Sequence, residues 1–312
     1  MSVICVLEPG LFTTVQDLGR EGFGAMGVSA SGAADAASLR VGNLLVGNLD
    51  GAAALEITLF GGTFLFPDAA AIVLSGSDFG AVLDGVAVEM WEPVDVRPGQ
   101  TLRVGATRSG ARAYLCVRGG IAATPFLGSA STHILSGLGG FEGRALKKGD
   151  TLAVGDVQDN SHSEKLSRAA TNMLLPRKIL RVTPGPQGDW FDARAQRLFD
   201  TGVYQVTEDA NRMGLRLVGP AIARANGREL ISEGVALGAV QIPESGMPII
   251  LFVEQQTTGG YPKIANVISA DFHSLGQLRP RDEIRFEMVD WDTARNLFRE
   301  QEELLASKEL FA

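Results

Sequence analysis

The sequence predicts a mainly β protein: two related β-barrel-like domains with a few peripheral helices. Three observations predict it. Short runs of apolar, β-branched and aromatic residues recur along the chain, with Gly or Pro in nearly every gap, which is the punctuation of strands and turns. Gly is abundant, 38 residues in 312 against 13 Pro, as a fold made of many short strands requires. The third observation is an internal echo. Each half opens with a strand and Pro-Gly, at Pro9-Gly10 and Pro184-Gly185, and each then carries a Glu on an apolar run, Glu56 and Glu229. Each has a strand ending in Pro, at Pro67 and Pro243, and each closes with Arg-Pro before an alternating strand, at Arg97-Pro98 and Arg279-Pro280. Landmarks in matched order and spacing point to duplication, and closed sheets leave no edges exposed.

A chain of 312 residues exceeds one ordinary core and fits two domains. Their predicted bounds are 1–160 and 178–312. The linker is expected in the polar stretch Asp156–Ser163, followed by a short helix over Glu164–Leu175.

In the first half, the strand Val3–Leu7 stops at Glu8-Pro9-Gly10. A Gly-rich polar loop then feeds a helix, marked by Ala33, Ala37, Val41, Leu44 and Leu45 at helical spacing. Ser31 is its expected N-cap and Gly47 its stop. Strands follow at Leu55–Leu59, Thr63–Phe66, Ala71–Leu74, Val82–Met90, Thr101–Val104 and Ala113–Val117. An irregular region containing GSASTH and GLGGFEGR runs to Arg144, and Leu152–Val154 is a last strand.

In the second half, Ile179–Val182 is a strand broken by Pro184-Gly185-Pro186-Gln187. Trp190, Phe191, Ala195, Leu198 and Phe199 mark an amphipathic helix closed by Gly202. Strands are expected near Tyr204–Thr207, Leu215–Val218, Leu230–Ile231, Val240–Ile242, Pro248–Val253, Ile264–Ile268 and Glu283–Glu287. A final amphipathic helix carries Trp291, Ala294, Leu297, Phe298 and Leu305, with Asp290 or Asp292 as cap.

Composition removes several function classes. A net charge of −8 argues against nucleic acid, which needs a basic face. No apolar stretch approaches the roughly 20 residues that span a bilayer, and Met1–Leu7 lacks the basic start of a secretory signal. Cys5 and Cys116 sit in apolar runs and read as buried free thiols in a reducing compartment. The expected location is cytoplasmic. There is no P-loop motif, and the G-x-G-x-x-G at Gly22, Gly24 and Gly27 follows no convincing strand. His133, His162 and His273 are too scattered for a metal site, so no metal is assigned to this chain. Gly128-Ser129-Ala130-Ser131-Thr132 reads as a Gly/Ser turn rather than a serine nucleophile, and no Lys lies between two Met residues as in a biotin-bearing segment.

The densest polar loop is QQTTGGYPKIANVISAD, Gln255–Asp271. Thr257, Thr258 and Tyr261 surround a Gly259-Gly260 backbone that a ligand can approach closely, and Lys263 adds an ammonium. Arg20, Arg144, Arg212 and Lys263 offer donors to carboxylate or phosphate oxygens. Asp17, Asp35 and Asp271 are candidate proton acceptors or Mg²⁺ ligands. Each of these residues alone has an ordinary structural use, such as Asp35 favouring a helix N-terminus.

Together, the motifs PGLFTTVQDLGREGFGAMGVSASGAAD, LLVGN, RAYLCVRGGI, LGSASTH, GGFEGRALKKGD, RVTPGPQGDWF, NRMGLRL, QTTGGYPKIANVISAD and GQLRPRDEIRFE resemble the C component of bacterial ATP-dependent 5-oxoprolinase. That family is also known as allophanate hydrolase subunit 2 and is similar to the second half of the urea carboxylase carboxyltransferase domain. The likeness runs from Pro9 to Glu287; Gly42-Asn43 stands where Ala-Asn usually precedes LLVGN. The resemblance implies cyclophilin-like β-barrel domains and an active site shared with the B component of 5-oxoprolinase. Joined by the A component, such complexes open 5-oxoproline to glutamate, driven by ATP with Mg²⁺. On that basis Lys263, Arg212, Asp271 and Asp17 are the expected catalytic groups. Thr257, Thr258, Gly259, Gly260, Tyr261, Arg20 and Ser31 are the expected substrate or nucleotide contacts. Two other readings remain open: a carboxyltransferase half acting on a urea-like amide with a biotin carrier, and a non-catalytic regulator that binds a kinase-inhibitor-like partner.

Overall fold

The computed structural model describes residues 2–156, 165–224 and 230–312. The chain is mainly β, with a few helices, and divides into two units. The first takes Met1–Arg20, Ser31–Leu174 and Ser307–Ala312; the second takes Glu21–Ala30 and Leu175–Ala306.

The first unit holds two sheets around one apolar core. The six-stranded sheet runs in the order Thr151–Ala153, Val3–Glu8, Thr63–Phe66, Gln100–Arg103, Val82–Leu83, Val86–Ala87. The five-stranded sheet runs Phe12–Gln16, Ala54–Thr58, Arg112–Val117, Ala70–Gly76, Val94–Val96. Alternate residues of each, such as Ile4, Val6, Phe64 and Leu102 against Val15, Leu55, Ile57, Leu74 and Leu115, fill the space between, as the period of two demands. Arg112–Val117 is buried at every position because the helix Ala36–Val46 covers its other face. There Gly42 allows close packing: a Cβ would lie 2.5 Å from Ser75 Oγ and 2.8 Å from Cys116 Sγ, so an alanine requires those side chains to shift.

That helix ends at Gly47 in the left-handed conformation, as expected, but its N-cap is Asp35, which accepts from Ser38 N at 2.9 Å. Ser31, the expected cap, instead donates to the Thr132 carbonyl at 2.8 Å. Buried Tyr114 and Glu56 anchor the same end: Tyr114 Oη donates to Glu56 Oε2 and accepts from Asp35 N, both at 2.8 Å. Burial, reinforced by Glu56, holds the Tyr114 phenol well above its ordinary value.

The segment Val82–Met90 is a tight hairpin rather than one strand. Asp84 and Gly85 both take positive φ, the Asp-Gly turn that matches strand twist. The expected linker falls largely on residues outside those described; beyond it the helix spans Arg168–Met173, capped by Ser167.

The second unit is a closed seven-stranded barrel. Its order is Ile179–Pro184, Lys263–Val267, Ala239–Gln241, Ile249–Leu251, Gly214–Val218, Tyr204–Val206, Glu283–Met288, and the last strand returns to the first in parallel. Val240 and Leu215 are both register partners of Ile250, and all three are buried. Phe199, from the helix Ala193–Thr201, stacks on Phe286 at 4.3 Å between ring centroids. Asp192 caps that helix, and Asp290 accepts from Thr293 N at the start of Trp291–Ala306. Leu230–Ile231 forms no strand: Ile231 stands 90% exposed, so an apolar pair alone does not recruit a sheet. Instead Glu233–Gly234 pairs with Thr258–Gly259 as a separate two-stranded ribbon.

Candidate functional site

The predicted residues of the first unit close around one carboxylate. Asp17 accepts from Ser129 Oγ at 2.6 Å, Ser131 Oγ at 2.5 Å, Ala130 N at 2.6 Å and Gly19 N at 2.8 Å. Arg20 is almost fully buried and donates to the carbonyls of Ser131 and Phe126, its guanidinium 5.7 Å from the Phe126 ring centre. GSASTH is therefore a strap tied down by Asp17, Arg20 and Ser31. GLGGFEGR is glycine-rich for steric reasons: a Cβ on Gly140 would lie 1.8 Å from Thr132 Oγ1. Arg144 pairs with Asp150 at 2.7 Å and Glu142 at 2.6 Å. Among the described residues, no three His, Cys, Asp or Glu side chains gather to hold a metal ion.

In the second unit, three predicted residues are committed to ion pairs. Arg212 Nε meets Glu254 Oε1 at 2.5 Å, both buried. Asp271 is wholly buried, accepts from Arg181 N at 2.8 Å and also receives the Arg181 guanidinium. Lys263 is 3% exposed and its ammonium pairs with Glu233. Gln187 also donates to Glu233, at 2.8 Å, and its Oε1 accepts from Lys263 N at 3.1 Å. The Lys263 ammonium, with help from Gln187, holds the Glu233 carboxyl below its ordinary value. This bracket pins the Glu233–Gly234 and Thr258–Gly259 ribbon over the outside of the barrel.

Next to the ribbon in sequence, Gln256 and Tyr261 line a cleft of about 460 Å³ together with Asn211, Met213, Arg216, Gln241 and Ile249. Thr257 carries the ribbon backbone, its carbonyl accepting from Val235 N at 3.1 Å. Gly259 and Gly260 do not use positive φ; at Gly259 the missing side chain allows close packing, since a Cβ would sit 2.6 Å from Gln241 Nε2. Of the predicted residues, Tyr261 alone lines the cleft; Thr258 and Gly259 stand in the neighbouring ribbon, and Lys263 is tied to that ribbon through Glu233. Asp271 does not line it, and Arg212 turns inward from the same turn that offers Asn211 and Met213.

Sequence reasoning passed over Gln241 and Arg216 as site residues. The available signal was an amide alone in an apolar run, Ala239–Ile242, and an arginine in NRMGLRL.

A mainly β chain with a closed barrel and further sheets is the architecture of carboxyltransferase domains in known structures: the urea amidolyase of K. lactis superposes with a TM-score of 0.91 at 32% identity, covering 99% of this chain and 21% of that one. The urea carboxylase of Kluyveromyces lactis superposes with a TM-score of 0.90 at 32% identity, over 99% of this chain and 30% of that one. The chain belongs to the family described as carboxyltransferase domain, subdomain A and B, whose family model matches residues 26–288. It is 40% identical over 297 residues to the C component of 5-oxoprolinase from Escherichia coli strain K12, covering 95% of this chain and 94% of that protein. It is 34% identical to urea amidolyase of Saccharomyces cerevisiae over 98% of this chain but 18% of that protein. Among the described residues, no helix is long and apolar enough to cross a membrane.

Proposed function

We propose that this chain acts as the C component of a multi-subunit, ATP-dependent 5-oxoprolinase of the cytoplasm, converting 5-oxoproline, ATP and water to glutamate, ADP and phosphate. The carrying observation is the end-to-end likeness to the corresponding Escherichia coli protein, which spans nearly all of both chains. The geometry supports a shared active site. Lys263, Arg212 and Arg20 are engaged by groups of this chain, so the residues expected to meet a triphosphate do not fit that role here. No ATP step is therefore routed through them. In this reading the nucleotide and its Mg²⁺ are held with the B component, and this chain supplies a shaped cleft for the organic substrate. The chemistry requires activation because a lactam is a poor electrophile; phosphorylating its oxygen creates a leaving group.

The test is reconstitution of the complex with the B and A components. ADP and glutamate released in equal amounts, only with 5-oxoproline present, support the proposal. The absence of 5-oxoproline-dependent ADP with every component present refutes it. The family model and the likeness to urea amidolyase favour a second reading, carboxyl transfer to a urea-like amide. Transfer of carboxylate from a biotinylated partner to urea, in place of lactam opening, would establish that reading.

A further inference from the structure

The cleft lined by Gln256 and Tyr261 holds two polar side-chain atoms that the described residues leave unsatisfied. Gln241 is 1% exposed, yet its Nε2 has no hydrogen-bond partner. Thr207 Oγ1, also on the cleft, is buried and unpartnered. Buried polar groups are nearly always paired, so two exceptions at one cleft point to a missing partner.

Register shows what else such a partner meets. Gln241 and Arg216 are both partners of Ile249, one from each flanking strand. Cross-strand partners share a face, so Gln241, Ile249 and Arg216 stand in one row on the outside of the barrel. Two strand spacings separate the outer Cα atoms by about 10 Å. Ile249 is half-buried and gives the middle of the row an apolar floor; Arg216 is exposed. Among the described residues that line the cleft, Arg216 and Asp209 alone carry charge. A single guanidinium can meet one carboxylate, and with Asp209 beside it the lining lacks the positive charge that a nucleoside triphosphate needs.

A carboxamide presents N–H and C=O side by side. A ligand with the same two groups on one edge, such as a lactam or a ureide, meets it with two hydrogen bonds whichever way the Gln241 amide is turned. We infer that this cleft binds a small syn amide carrying one carboxylate, its amide edge on Gln241, its body over Ile249 and its carboxylate on Arg216. Gly259 packs closely against the Gln241 amide, a Cβ there lying 2.6 Å from Nε2. Adding a Cβ there displaces the movable end of a flexible side chain rather than the barrel backbone.

The choice of 5-oxoproline as probe rests on the function proposed above. The test is calorimetric titration of the full chain with 5-oxoproline, 2-pyrrolidone and proline. The expected result is that 5-oxoproline binds, 2-pyrrolidone binds roughly tenfold more weakly for want of the charged contact, and proline, which has no amide carbonyl, more weakly still. Gln241→Met weakens both lactams about tenfold without lowering the melting temperature, because a thioether needs no partner. Gly259→Ala weakens both in the same way. Arg216→Leu brings 5-oxoproline down to the level of 2-pyrrolidone and leaves 2-pyrrolidone unchanged. Failure of the chain to bind 5-oxoproline, or unchanged affinity in Gln241→Met, overturns the inference. The complex separates the two claims. Lactam opening with an unaltered KM in Gln241→Met removes this site and spares the functional proposal. Gln241-dependent binding without 5-oxoproline-dependent ADP release does the reverse.

Discussion

Asp271 offers a sharp separation of structural from chemical roles. Its carboxylate is wholly buried, accepts the Arg181 backbone N–H at 2.8 Å and receives the Arg181 guanidinium. It thereby ties the short turn Ser269–Asp271 to the barrel strand Ile179–Pro184. Asp271→Ala removes one member of a buried ion pair, a loss worth about 3–5 kcal/mol. Arg181 keeps 16% of its side-chain surface, so water recovers part of its charge and the lower end, about 3 kcal/mol, applies. At about 2–4 °C per kcal/mol for a unit of this size, the midpoint of the second unit falls by about 6–12 °C. The assay is thermal unfolding followed by circular dichroism, beside ATPase activity of the assembled complex below the lowered midpoint. Activity should survive there. Replacing both partners, Arg181→Met with Asp271→Leu, should recover part of the lost stability, because an apolar pair strands no charge. A midpoint within about 2 °C of the parent, with turnover abolished, would refute the anchoring role and return Asp271 to the chemistry.

The other expectations concern the ribbon, the strap and the buried thiol. Lys263→Met unpins the ribbon, so the amides of Glu233–Gly234 and Thr258–Gly259 should exchange hydrogen faster, read by mass spectrometry; unchanged exchange would deny the bracket. Glu233 has its carboxyl lowered from 4.5 by Lys263, so its contribution is complete above about pH 4.5 and is lost as pH falls through the lowered value. Lys263→Met should therefore flatten part of the acid side of the stability profile. Asp17→Ala should cost at least about 2 kcal/mol and open the Ser129–Thr132 strap to proteolysis; Asp17→Asn, which keeps one acceptor oxygen, should cost less. Cys116 is fully buried and its thiol is pushed up to about 12 by that burial, so native protein at pH 8 should resist alkylation there; rapid labelling would show that the helix Ala36–Val46 opens readily.

Much of the strand inventory was legible because a sheet with one buried face writes a period of two into its sequence. The helix Ala36–Val46 was legible from its 3.6 period and Gly47 stop, yet its cap was misplaced: Ser31 and Asp35 are both good capping types, and only the tertiary partners Thr132, Tyr114 and Glu56 allot their roles. Strand pairing was not legible. The strand after Arg97-Pro98 pairs with Thr63–Phe66, whereas the one after Arg279-Pro280 pairs in parallel with Ile179–Pro184. Equal spacing along a chain says nothing about which edges meet.

The polar loops show the same division. Composition and motif marked Gln255–Asp271 as the place to look, and it does border the cleft. Which of its side chains reach solvent was settled by folding: Lys263 and Asp271 met carboxylate or guanidinium partners distant in sequence and were spent on them, while Gln241, hidden in an apolar run, keeps an Nε2 with no partner among the described residues. By itself the sequence determined most of the strands, their alternation and the family, though not Phe12–Gln16, which lay in a stretch that read as a polar loop. Only tertiary structure decided which charges cancel, because that depends on neighbours brought close by closing the barrel.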